Sequence, residues 1–317
     1  MKKVLLASSV LALSAGFASA EITFSGSAVM GVGDNGDSLD NSARSVMETY
    51  LTATASGETD TGLSFGLEST FATYTTDDEE FTDDGTSVFI SGAWGKLSMG
   101  DVTEADEMPG SFSDIGGLSG LGVDDVAETY TGDEAAGEFD RESHDVNYTY
   151  SGGALTAAIS AQIGAQGDLD GEGDGYALGL KYSFGDAYVG IGYNDDGVDA
   201  YTDVAGSATT LYAGGTFGAF GVKAMYTDFS ADTGSILPDG EAFGLHVSYT
   251  VEALTLMAQY AQSDAENPVS FENYEAFGVG AAYDLGGGAS VVGGVAQITD
   301  WDRDDETVWE AGFSFSF

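Results

Sequence analysis

The sequence predicts an all-β chain that closes into a transmembrane antiparallel β-barrel of about sixteen strands. Three observations predict it. Apolar and small or polar residues alternate with period two almost without break from Ile22 to Phe317, and no helical stripe interrupts them. The links between alternating segments are short and long in strict turn. The chain opens on an export address, yet no run of about 20 apolar residues follows Glu21 to make a spanning helix. A lipid bilayer admits only helices and closed barrels, because every backbone polar group must be paired inside it.

Residues 1–20 read as a cleaved signal peptide. Met1-Lys2-Lys3 is a basic start, Val4 to Phe17 is apolar and uncharged, and Ala18-Ser19-Ala20 is a small-residue cleavage site. The mature chain is then a single barrel domain over 21–317. Cleavage removes Lys2 and Lys3 and no acid, taking the net charge from −45 to −47.

The expected strands are 22–33, 44–56, 62–74, 87–94, 96–103, 145–151, 154–165, 175–184, 187–194, 208–217, 220–229, 241–251, 254–263, 273–285, 289–298 and 307–317. Leu155, Ala157, Ile159, Ala161 and Ile163 share one face of the seventh. Tyr176, Leu178, Leu180, Tyr182 and Phe184 share one face of the eighth, against small residues and Lys181. In the twelfth, Phe243, Leu245, Val247, Tyr249 and Val251 oppose Ala242, Gly244, His246, Ser248 and Thr250. The last pairs Trp309, Ala311, Phe313, Phe315 and Phe317 against Glu310, Gly312, Ser314 and Ser316. Alternation does not fix the register at Phe89 or around Glu275–Val279.

The short links are 57–61, 95, 152–153, 185–186, 218–219, 252–253 and 286–288; the long acidic ones are 34–43, 75–86, 104–144, 166–174, 195–207, 230–240, 264–272 and 299–306. Tight turns on one side and longer loops on the other are the habit of outer-membrane barrels. A soluble sandwich also has period two, but nothing in it requires links sorted in this way. Aromatics such as Trp94, Tyr150, Phe184, Phe217, Tyr249 and Tyr283 sit near strand ends, where membrane interfaces are expected.

Composition excludes several functions. Fifty-three Asp and Glu against 8 Lys and Arg leave nothing to neutralise phosphates, so the chain binds no nucleic acid. With no Cys there is no disulfide, thiolate metal site or Cys nucleophile. His144 and His246 are too few for a histidine zinc site, and neither adjoins a distinctive serine motif, so no enzyme is expected.

Tyr283-Asp284-Leu285-Gly286-Gly287-Gly288-Ala289-Ser290-Val291-Val292-Gly293-Gly294, Met30-Gly31-Val32 with Asn35-Gly36-Asp37, and Gly92 to Asp101 are similar to segments of a known family. The chain resembles a general diffusion porin of Gram-negative alphaproteobacteria. Phe313, Phe315 and Phe317 resemble that family's outer-membrane insertion signal. The resemblance implies sixteen strands, a homotrimer in the outer membrane in contact with lipid and lipopolysaccharide, and a third loop folded into the lumen.

The 104–144 link is far longer than its siblings, and a loop of that length is usually functional. It is expected to form an acidic constriction, with Glu104, Asp106, Glu107, Asp114, Asp124 and Asp125 at the opening. If apolar positions face lipid, parity puts Arg44, Glu48, Glu68, Lys96, Lys181, Lys223, His246 and Glu310 on the pore wall. Porins of this type set basic residues across from the loop acids. Arg44 matches one such family arginine, whereas Val29 and Val46 stand where relatives carry Arg, and Phe71 lies near an expected Lys. Acidic linings concentrate cations and repel anions, so a water-filled, cation-selective channel for ions and small hydrophilic solutes is expected. The alternatives are a substrate-specific outer-membrane channel and an acidic surface adhesin without conductance. The runs 77–80, 168–174 and 302–306 suit diffuse Ca²⁺ binding through hard oxygens, bridging to lipopolysaccharide or fixing the third loop, rather than a defined site.

Overall fold

The computed structural model describes residues 21–34, 43–73, 82–112, 115, 118, 144–163, 175–196, 206–231, 239–266, 274–300 and 303–317. Its sixteen strands are β1 (Glu21–Asp34), β2 (Arg44–Glu58), β3 (Ser64–Thr73), β4 (Thr82–Gly92), β5 (Gly95–Val102), β6 (His144–Gly152), β7 (Leu155–Gln162), β8 (Gly175–Phe184), β9 (Ala187–Asp196), β10 (Gly206–Phe217), β11 (Phe220–Ala231), β12 (Asp239–Val251), β13 (Leu254–Glu266), β14 (Tyr274–Gly286), β15 (Ala289–Asp300) and β16 (Arg303–Ser316). Each strand pairs antiparallel with its sequence neighbours, and β1 pairs with both β2 and β16, so the sheet closes and has no free edge.

Period two decides which face looks where. In β8, Tyr176, Leu178 and Leu180 are exposed on the outside, while the intervening Gly175, Ala177 and Gly179 are buried on the inside. The same holds for Phe24, Met30 and Val32 in β1 and for Phe313 in β16. On a soluble protein these side chains would be a liability; on a barrel they form the apolar band that meets lipid. Glycine closes the short turns: Gly153, Gly185 and Gly218 have φ of 63°, 64° and 68°, which an L side chain rarely adopts.

Strand ends moved in two informative places. β4 begins at Thr82, five residues before the expected start, because the chain pairs on through a bulge opposite Ser69–Phe71. β15 and β16 run on to Asp300 and Arg303, which are partners, so the expected long link 299–306 shrinks to residues 301 and 302. Charge in that stretch suggested a loop, but residues beyond the apolar band can continue a ladder into water. The register at Phe89 is also settled. Phe89 pairs with Gly66 and Ser98 on the inner face, and its ring fills the space left by Gly66.

The buried core lies inside the barrel, between the wall and the link that follows β5. Phe112 and Ile115 pack with Tyr212, Met225, Ala261, Ala276, Ala296 and Val308. Leu118 packs with Val46 and Val292, and Ala105 with Ala158 and Ala177.

Candidate pore constriction

The chain enters the lumen at the end of β5. Pairing with β6 shifts between Met99 and Val102, and Gly100 has φ of 111°. A bulge of this kind bends a strand and re-aims the residues after it. Residues 104–109 then lie on the inner faces of β8 and β9. A Cβ on Gly179 would overlap the Ala105 carbonyl, one on Gly192 the Asp106 carbonyl, and one on Gly190 the Pro109 ring. These glycines hollow out the wall so that backbone rests on backbone. Two tight turns compact the segment, Met108 N–H donating to Ala105 O (3.3 Å) and Gly110 N–H to Glu107 O (3.0 Å). Farther along, the Ile115 carbonyl occupies the place of a Gly280 side chain, and Leu118 fills the space beside Gly31 and Gly312. The described part of the link thus follows the inner wall from β8 round to the β16–β1–β2 seam.

Polar anchors fix this path. At its start, Ala105 N–H donates to Ser160 Oγ (2.8 Å), Ser160 Oγ lies 2.7 Å from His144 Nδ1, and His144 Nε2 lies 3.3 Å from Glu104 Oε1. Glu104 leaves β5 and His144 opens β6, so this contact ties the two ends of the long link together. The Asn147 amide donates to Thr103 O (2.8 Å) beside it. Midway, Lys223 Nζ donates to Ser111 O (3.0 Å). At the far wall, Leu118 N–H donates to Glu310 Oε1 (2.9 Å). The Ser160–His144–Glu104 chain has the residue types of a nucleophile relay. However, all three are buried and Ser160 Oγ already accepts the Ala105 N–H, so the arrangement holds backbone rather than presenting a nucleophile.

A closed barrel with an inward-folded link is one criterion; likeness to known proteins is the other. The Gram-negative porin family model matches residues 7–303. This chain belongs to the Gram-negative porin family. It is 35% identical over 318 residues to the porin of Rhodobacter capsulatus, covering 94% of this chain and 100% of that one. A solved porin structure is 31% identical with a TM-score of 0.72, covering 94% of this chain and 100% of the other. The anion-selective porin from Comamonas acidovorans superposes with a TM-score of 0.74 over 94% of this chain and 100% of that one, at 17% identity, a likeness of fold alone. As a porin the chain is an outer-membrane channel and not an enzyme.

Within this porin, every expected wall residue falls on the inner face, but not every one meets water. Glu48, His246 and Glu310 are buried, with 6%, 3% and 2% of their surface exposed. Glu310 is covered by the loop it holds, and His246 Nδ1 lies 3.0 Å from Gln259 Nε2. Arg44 is exposed at the start of β2, and Glu68 is exposed and accepts from Thr54 Oγ1 (3.3 Å). Lys96 and Lys181 rest over the rings of Phe89 (4.7 Å) and Tyr188 (4.1 Å). Of the six loop acids expected at the opening, Glu104 and Asp106 are instead buried against the wall, because the loop lies flat there; Glu107 is half-buried. Asp114, Asp124 and Asp125 lie outside the described residues, as do 77–80 and 168–174. Among the described residues no group of three or more His, Asp or Glu side chains is placed to hold a metal. Phe317 is two-thirds exposed and its backbone pairs with Gly26, sealing the β16–β1 seam.

Sequence reading missed Leu118, Ser160 and the lumen-side glycines. The glycines left a signal, since Gly179, Gly190, Gly192 and Gly280 sit at inner positions of otherwise regular strands.

Proposed function

We propose that this porin is a cation-selective general diffusion channel for small hydrophilic solutes and ions, narrowed from within by the acidic 104–144 segment. The observation that carries the reading is the loop lying against the inner wall with half-buried Glu107, in a chain of net charge −45. Fixed carboxylates beside a narrowed passage raise the local cation concentration and repel anions. A fold shared with an anion-selective porin leaves the sign of selectivity to the residues, and here acids outnumber bases 53 to 8. The working unit is a homotrimer in contact with outer-membrane lipid and lipopolysaccharide. Residues 1–20 are removed after Ala20, and Ca²⁺ associates diffusely with the acidic segments. The zero-current potential across a planar bilayer with unequal salt on its two sides tests the selectivity. A dilute side that becomes positive supports cation preference, and a dilute side that becomes negative contradicts it. N-terminal sequencing of the purified protein tests the start at Glu21.

A further inference from the structure

The lysines of the mature chain are not scattered through the lumen, whereas Arg44 stands at the opposite, long-link end of β2. Every lysine beyond Lys3 – Lys96, Lys181 and Lys223 – lies second to fourth from the short-link end of its strand and points inward. Short turns face the periplasm in outer-membrane barrels, so the three form one layer near the periplasmic mouth, on β5, β8 and β11. Other inner positions of that layer are largely neutral, as with Ser56, Ser91, Thr149, Thr250 and Ser314; Asp284 is the acid among its described lumen-facing side chains. The carboxylates Glu21 and Glu58 at strand ends, and Asp60, Asp186 and Glu252 in the short turns, are exposed at the rim. There, water and salt screen them within about 8 Å. Acids of the loop and wall stand above this layer: Glu48 and Glu310 farther along their strands, Glu68 fifth from the short-link end of β3, and Glu104, Asp106 and Glu107 beside Gly179 and Gly192, the next inner pair above Lys181 and Gly190. The lysines are also held in place. Lys96 rests on Phe89, Lys181 on Tyr188, and Lys223 on the Ser111 carbonyl. A cation over an aromatic face keeps its charge while its position is restrained.

We propose that Lys96, Lys181 and Lys223 form a cationic collar on the periplasmic side of the acidic loop, so that the channel carries fixed charge of opposite sign in series along its axis and conducts asymmetrically. The proposal deepens the cation-selective reading and rests on it. An acidic zone passes cations readily and a basic zone passes anions readily. With the external side positive, cations enter through the acidic zone and anions through the collar, so both accumulate between the two zones and current rises. Opposite polarity empties the middle and current falls.

The test is the current–voltage curve of the full-length trimer inserted from one side of a planar bilayer. At low salt, where the screening length is about 30 Å at 0.01 M, the ratio of currents at opposite polarities is expected to reach about 1.5 or more. It returns to about 1 near 1 M salt, where the screening length is about 3 Å. The larger current flows with the external side positive. In K96Q/K181Q, which leaves the Lys223 contact to the loop intact, the low-salt ratio falls to about 1, while the zero-current potential becomes more cation-selective. A symmetric curve in the wild type, or asymmetry unchanged in K96Q/K181Q, overturns the collar. If the channel conducts symmetrically but selects cations, the collar fails alone. If it selects anions, the reading beneath it fails.

Discussion

The Ile115 carbonyl lies in the space that a Gly280 side chain would need, so these two residues make backbone-to-backbone contact at the inner wall. An acidic link could equally have stood out in water; this contact and its counterparts at Gly179 and Gly192 lay it on the wall instead. Glycine opposite backbone is the price of a loop that lies flat.

A side chain at position 280 displaces the loop. Gly280→Val forces Ile115 away from β14, and overpacking of this kind costs about 1–3 kcal/mol. Single-channel recording is expected to show conductance shifted from the wild-type level with greater open-channel noise, while the barrel keeps its heat-dependent mobility on electrophoresis. Unchanged conductance and noise would mean that the loop does not rest there.

The anchor at the far wall depends on an acceptor, not on a charge. Glu310→Gln retains an oxygen for the Leu118 N–H and is expected to keep quiet channels. Glu310→Ala leaves that buried donor unpaired, at about 1–3 kcal/mol, and its channels flicker. Leu118→Ala opens a cavity between Val46 and Val292 and costs about 2–5 kcal/mol of loop attachment. Equal noise in the Gln and Ala variants would remove the acceptor role.

Ser160 ties down the start of the loop. Ser160→Ala deprives both Ala105 N–H and His144 Nδ1 of their shared partner, a loss of about 1–3 kcal/mol for the buried donor. The expected outcome is a lower midpoint of thermal unfolding by circular dichroism, together with noisier channels.

Selectivity separates the buried acids from the half-buried one. Glu107→Gln reduces the cation-to-anion permeability ratio by up to about fivefold, the equivalent of about 1 kcal/mol for a unit charge at 4 Å in water. Glu104→Gln, buried beside His144, changes that ratio little and acts on loop stability instead. Zero-current potentials of the two variants in the same salt gradient decide between them. A larger loss of selectivity in Glu104→Gln would reverse the assignment.

Strand number, order and facing were legible because lipid on one side and water on the other impose period two on every strand. That rule placed Lys181, Lys223, His246 and Glu310 on the inner face from spacing alone. Which inner residues meet water was not legible, since that depends on where the loop lies. Val29 and Val46 looked like departures from a basic wall. They border the site that receives Leu118, so apolar side chains there serve loop attachment rather than a transverse field. Phe89 was ambiguous for a related reason, being an aromatic on the lumen side that packs over Gly66 and beneath Lys96. The extension of β15 and β16 to Asp300 and Arg303 was hidden by charge, which marks residues above the membrane whether or not they stay paired.

The most direct test of a loop folded into the barrel uses the absence of native cysteine. In V46C/L118C, the two thiols replace side chains that pack together in the lumen, and a disulfide needs Cα atoms within about 4.4–6.8 Å. Mild oxidation of the folded porin is expected to cross-link them, giving a mobility shift that reductant reverses. No cross-link, with the thiol at position 118 instead reacting fully with a bulky reagent too large to enter the channel, would place the loop outside the barrel and contradict the account.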